Sequence, residues 1–147
     1  MKKVQEIMDS NPITVSPSAT VIEVARKMTK HKLAMIPVCE NGKLRGVISE
    51  GDIISNIGAS SQNPKRREAR SLMHNDLPKV SPGVDTFSAA KLMARHQVHY
   101  LPVVQNGKFK GILTLDHLVG DSLATASLVL DHTQRERDKA AAMPAGA

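Results

Sequence analysis

Ser49 and Asp52 stand three positions apart, directly after the run Gly46-Val47-Ile48. A strand ending at Ile48 and a helix opening at Ser49 would leave free backbone N–H groups that attract an anion. A carboxylate three residues into that turn can accept hydrogen bonds from two adjacent hydroxyls, which suits the 2′ and 3′ hydroxyls of a ribose. The same spacing also describes a plain helix start, because Ser followed three positions later by an acid closes a reciprocal cap. Taken alone, the pair reads more simply as that cap, since short motifs specify function weakly.

The arrangement returns 65 positions later, where Gly111-Ile112-Leu113-Thr114 leads to Asp116 and His117. His117 takes the place of Asp52, and Asp116 is displaced to the neighbouring position. A neutral imidazole offers one acceptor instead of two carboxylate oxygens, and one helix step turns Asp116 about 100° away. If the Ser49 and Asp52 pair forms a site, its counterpart around Thr114, Asp116 and His117 is expected to be the weaker one.

Other reactive side chains read as structural. His96 and His99 have a spacing that a metal could use, with His117 as a third ligand. His96, however, matches His31 in the first half, which has no second histidine at the matching place, so a partner for the helix C-terminus is the simpler reading and no metal is expected. Cys39 matches Val104 and reads as a small apolar residue. The chain contains neither a nucleophile–base–acid order with supporting context nor a Walker A glycine loop, so no catalytic residues are expected.

The chain has 147 residues, 41% hydrophobic and 23% charged, which is an ordinary globular balance. One cysteine excludes an intrachain disulfide and points to the cytoplasm; no membrane span or signal peptide is expected. One Tyr, two Phe and no Trp argue against a stacking platform for single-stranded nucleic acid. The net charge of +6 favours anionic partners in a general way.

What must position these residues is a repeat. Met8 falls on Met73, Val15-Ser16-Pro17 on Val80-Ser81-Pro82, and Met28 on Met93. Pro37-Val38 then falls on Pro102-Val103, Asn41-Gly42-Lys43 on Asn106-Gly107-Lys108, and Gly46 on Gly111, all without a gap. Each half opens with an extended piece before Ser-Pro, which resists helix at the preceding residue. A helix follows, capped by Thr20 with Glu23 in the first half and by Asp85 in the second. Two strands joined by Asn-Gly come next, a pairing that favours the positive φ angles of a tight hairpin. A last helix opens at Ser49 or Thr114. The order is β-α-β-β-α, twice, an α/β fold expected to close as a pseudo-twofold pair.

The stretches Ile36-Pro37-Val38 to Ile48-Ser49-Glu50-Gly51-Asp52-Ile53 and Leu101-Pro102-Val103-Val104 to Gly111-Ile112-Leu113-Thr114 resemble the signature of the CBS domain family. Val4-Gln5-Glu6-Ile7-Met8 and Ser71-Leu72-Met73 look like that family's short lead-in helix. The resemblance implies a tandem CBS pair, or Bateman module, standing alone, with repeat 1 over 1–57, a basic linker over 58–70, repeat 2 over 71–122 and a partly helical tail over 123–147. It implies a regulatory, non-catalytic sensor of an adenosine derivative: AMP, ADP, ATP or S-adenosylmethionine. By the same resemblance Asp52 would hold ribose, Ser49 ribose or phosphate, and Pro12, Ile13, Leu33, Ala34 and Met35 the adenine. His99 would face phosphates. A homodimer and an unidentified regulated protein are the implied partners. Two alternatives stand beside this: a nucleic-acid binder using Lys65-Arg66-Arg67 and Arg70, read otherwise as a solvated linker, and a dimerisation scaffold that binds no small molecule.

Overall fold

The computed structural model describes residues 1–59 and 63–131. Ser60, Ser61 and Gln62 of the expected linker, and the tail from position 132, lie outside the described residues. The elements run α1 (Val4–Ile7), α2 (Val21–His31), β1 (Met35–Glu40), β2 (Lys43–Ser49), α3 (Glu50–Ala59), α4 (Thr86–His96), β3 (Tyr100–Gln105), β4 (Lys108–Thr114) and α5 (Leu115–Asp121). A further helix, α6, covers 123–131. The lead-in to the second half is a single 3₁₀ turn, Ala69–Ser71, rather than an α-helix. This is a mixed α/β fold with two small two-stranded sheets.

Turn chemistry sets both hairpins. Asn41 and Gly42 have φ of 54° and 76°, and Asn106 and Gly107 have 53° and 75°. Two successive positive φ angles match the right-handed twist of the flanking strands, which is why Asn-Gly stands at both places. β1 and β2 pair antiparallel, with Ile36 opposite Ile48 and Val38 opposite Gly46, and the ladder shifts between Val38 and Cys39.

Single residues extend each sheet by one more row. Val15 joins β1 in parallel, its N–H donating to Pro37 O (3.1 Å) and its carbonyl accepting from Cys39 N (2.9 Å). His74 joins β2 antiparallel through Val47 N to His74 O (2.9 Å) and His74 N to Val47 O (3.1 Å). Val80 on Val103 and Asp9 on Ile112 repeat this in the second copy. The close approach explains two glycines. A Cβ at Gly46 would lie 2.9 Å from His74 O, and one at Gly111 only 2.3 Å from Asp9 O.

The helices begin as their sequences dictate. Thr20 Oγ1 accepts from Glu23 N while Glu23 Oε2 accepts from Thr20 N, both at 3.2 Å. Asp85 Oδ1 accepts from Ser88 N at 2.8 Å. Two donors at the start of α2 are satisfied differently: Val21 N donates to Arg67 O (2.8 Å) and Ile22 N to Pro64 O (3.2 Å). The stretch read as a solvated linker therefore caps α2 with its own carbonyls, and α3 runs through Ala59 before it.

The chain packs as two compact units that do not follow the halves of the sequence. Among the described residues, one comprises Asn11–Leu77 with Val104–Phe109; the other comprises Met1–Ser10, Pro78–Val103 and those from Lys110 to Asp131. The core of the first contains Val21, Val24 and Met28 of α2 with Ile36, Val38, Ile48, Ala69 and Leu72. The core of the second contains Ala89, Ala90 and Met93 of α4 with Leu101, Leu113, Leu118, Ala126, Val129 and Val4. Val4 thus belongs by sequence to the first half and by packing with the second, and Ala69 the reverse. Among the described residues, no helix is long and apolar enough to cross a membrane.

Candidate functional site

Ser49 ends β2 and Asp52 lies in the first turn of α3. Ser49 N–H donates to Asp52 Oδ2 at 2.8 Å, and Asp52 N–H donates to Ser49 Oγ at 3.2 Å. This is the reciprocal cap that the spacing allows. The strand register places Met35 opposite Ser49, and Glu50 N donates to Ala34 O at 3.0 Å. Ala34, Met35, Ser49 and Asp52 are therefore brought to one end of the β1–β2 hairpin, at the start of α3. Ile13 packs against the same unit's core, and Pro12, beside it, is half-buried. Leu33 also packs on that core.

A residue that the spacing did not single out completes the cluster. His74 Nε2 lies 3.0 Å from Asp52 Oδ2, with the two side chains 34% and 27% exposed. Its Nδ1 is 3.8 Å from Asp76 Oδ1. Among the described residues Oδ2 of Asp52 thus has two donors, the Ser49 amide and the imidazole, and Oδ1 has none. An open carboxylate oxygen on a partly exposed side chain is an acceptor in want of a hydroxyl or amine.

The second copy is built alike. Thr114 N–H donates to His117 Nδ1 at 3.0 Å, and His117 N–H donates to Thr114 Oγ1 at 3.4 Å. His117 performs the capping that Asp52 performs, and an imidazole accepting at Nδ1 holds its ring proton at Nε2. Asp116 is exposed on the first turn of α5. His99 belongs to this unit, where its carbonyl accepts from Leu115 N at 2.8 Å, matching Ala34 and Glu50 in the other copy.

The signal for His74 lay in the repeat register. Shifted by 65 positions, His74 matches Asp9 and Asp52 matches His117. The two copies exchange a carboxylate and an imidazole between the same two places.

Cys39 and the basic run lie apart from this cluster in the sequence and have partners of their own. Cys39 is half-buried, and burial pushes its thiol up to about 11. In the basic run, Arg67 Nε donates to Ser71 Oγ (3.1 Å) and Arg70 pairs with Glu68 (3.6 Å), so two of its four cations are held within their own segment. Among the described residues no group of three or more His, Cys, Asp or Glu side chains is placed to hold a metal ion.

Comparison with known proteins agrees with this architecture. The sequence profile of the CBS domain matches residues 4–59 and again 69–123. A CBS domain-containing protein from Bacillus subtilis, YhcV, is 31% identical over 127 residues, which is 86% of this chain and 90% of YhcV. Among solved structures, CBSX2 in complex with AMP superposes with a TM-score of 0.75 at 24% identity, covering 84% of this chain and 98% of that one. The CBS domain pair of protein MJ0100, in complex with 5′-methylthioadenosine and S-adenosyl-L-methionine, superposes with a TM-score of 0.71 at 21% identity, covering 82% and 94%.

Proposed function

The chain belongs to the CBS domain family, and on that premise we propose that it is a non-catalytic regulatory module that binds an adenosine derivative at the start of α3. The observation that carries the reading is the Asp52 carboxylate. It is partly exposed and fixed through Oδ2 by Ser49 and His74, and Oδ1 accepts no hydrogen bond among the described residues. Fixing one oxygen orients the other before the ligand arrives, which lowers the cost of binding.

In this reading Oδ1 accepts from a ribose hydroxyl, and the α3 N-terminus lies beside the sugar or its phosphate. Pro12, Ile13, Ala34 and Met35 supply apolar contacts for the base. Neither Ala34 nor Met35 carries a charge, which favours AMP or S-adenosylmethionine over a triphosphate. His99 serves phosphate, and Thr114, Asp116 and His117 form a second and weaker site. AMP bound to CBSX2, and methylthioadenosine and S-adenosylmethionine bound to MJ0100, support this class of ligand. Ile54 of α3 and Val119 of α5 occupy matching positions and are 72% and 43% exposed, which supports a homodimer formed through these helices. The expected setting is the cytoplasm, with a regulated protein as the recipient of the signal.

One observation favours a second reading. Ser49 Oγ and Asp52 Oδ2 are already engaged with each other's backbone, as they would be in a helix cap that binds nothing. The chain would then be a dimerisation scaffold. Calorimetric titration with AMP, ADP, ATP and S-adenosylmethionine separates the two. Saturable binding that is lost in Asp52→Asn, a variant able to keep the cap, supports the sensor. A folded protein that binds none of the four is the scaffold.

A further inference from the structure

Within the unit built around α2, a cavity of about 680 Å³ opens between that helix and the segment Thr14–Ser16. We propose that it is an anion site for a small organophosphate. It shares no residue with the Ser49, Asp52 and His74 cluster and does not depend on the ribose reading. Its volume falls within the range of ordinary small-molecule sites, about 300–1,000 Å³.

The lining has two parts. Val15, Ala19 and Cys39 give the lining an uncharged part, and Arg26, Lys27 and Lys30 of α2 give it a cationic one. Burial holds the Cys39 thiol neutral to about pH 11, so the uncharged part bears no competing negative charge. The one carboxylate in the lining, Glu23, has its Oε2 turned back onto Thr20 N at 3.2 Å.

Glu23 and Lys27 have the i, i+4 spacing of a helical ion pair, yet Lys27 Nζ donates to Thr14 O at 3.1 Å instead. Arg26 and Lys30 have no ion-pair partner among the described residues. These two lining cations, one with the planar fork that suits phosphate oxygens, match a dianionic headgroup. The uncharged body of the ligand would lie on Val15, Ala19 and Cys39.

The repeat supplies an internal comparison. Arg26 and Lys30 match Lys91 and Arg95, so basic residues alone are common to both copies. Lys27 and Cys39, by contrast, match Leu92 and Val104, and Glu23 matches Ser88. Lys91 is drawn over the Phe87 ring, 5.5 Å from its centroid. The combination of third cation, thiol and capped acid occurs only in the first copy.

Cys39 is the chain's single thiol and reports occupancy directly. The test is its labelling by 4,4′-dithiodipyridine in the intact protein, with phenyl phosphate as the probe and phenol as its uncharged counterpart. Phenyl phosphate should slow labelling saturably, about tenfold at ten times the half-saturating concentration. Phenol should protect far less. Arg26→Gln/Lys30→Gln should abolish the protection, whereas Lys91→Gln/Arg95→Gln and Asp52→Asn should leave it intact. Absence of saturable protection, equal protection by phenol, or protection that survives the first double substitution would each overturn the proposal. Loss of protection in Asp52→Asn would overturn its independence from the ribose reading.

Discussion

His74 Nε2 and the Ser49 amide converge on one oxygen of Asp52, at 3.0 and 2.8 Å, and among the described residues the other oxygen has no donor. The carboxylate is thereby divided in function. Oδ2 is held by the fold, and Oδ1 accepts no hydrogen bond among the described residues. A helix cap and a ligand site can share a single side chain without competing for the same lone pairs.

His74 should accordingly act as a positioning residue. In His74→Ala the Asp52 side chain loses one of its two restraints, and AMP affinity should fall about fivefold, the equivalent of one ordinary hydrogen bond. His74→Gln, which retains a side-chain N–H donor, should recover part of that loss. Calorimetry on both variants reads the effect, and unchanged affinity in His74→Ala would remove His74 from the site.

The exchange of acid and imidazole between copies leads to a non-additive result. Asp9 pairs with Ile112 as His74 pairs with Val47, so its side chain starts from the same place relative to α5. His117→Asp alone should bring two carboxylates together and lower the unfolding midpoint. Asp9→His/His117→Asp, which recreates the first copy's arrangement, should recover most of the loss, with a coupling energy of about 1 kcal/mol in denaturant titrations. Additive effects would show that the two positions do not interact.

Glycine substitutions should rank by how closely another backbone approaches. Gly111→Ala forces a Cβ to within 2.3 Å of a carbonyl oxygen and should be the most damaging. Gly46→Ala, at 2.9 Å, should cost about 1–3 kcal/mol as ordinary overpacking. Gly42→Ala meets nothing within 4 Å and carries only the strain of φ +76°, about 1–2 kcal/mol. Equilibrium unfolding of the three variants tests the order.

Cys39 predicts an alkaline limit on stability. Burial raises its thiol from the ordinary 9.0 to about 11, so the folded chain favours the protonated form. The stabilisation is complete below 9.0 and is lost as pH rises through about 11. Cys39→Val, which installs the residue found at Val104, should remove this contribution to the decline. Unfolding midpoints across that interval, compared between wild type and variant, measure it.

Local chemistry made much of the fold legible in the sequence. Asn-Gly, Thr20 with Glu23, Asp85 and the Ser-Pro breaks each dictate a turn or cap from neighbouring residues alone. The Ser49 and Asp52 cap was legible for the same reason. His74 was not, because its contact with Asp52 depends on an edge pairing with Val47 across 26 intervening positions, and no helical or strand periodicity marks it. The cap at Thr114 was legible too, and His117 Nδ1 supplies the acceptor for the Thr114 amide. The basic stretch after position 63 was read by composition, whereas its role comes from main-chain carbonyls that composition does not reveal.

The interleaved units make the two halves mutually dependent. A chain severed between Ala59 and Asn63 would yield fragments that each lack an edge row of their own sheet and a fully buried side chain, Ala69 from one core and Val4 from the other. Neither fragment holds the parts of a finished unit, but together they hold every part of both. Coexpressed fragments should reassemble where single ones fail. Each half carries the leading arm that completes the other unit, so the peptide link between them keeps both arms within reach.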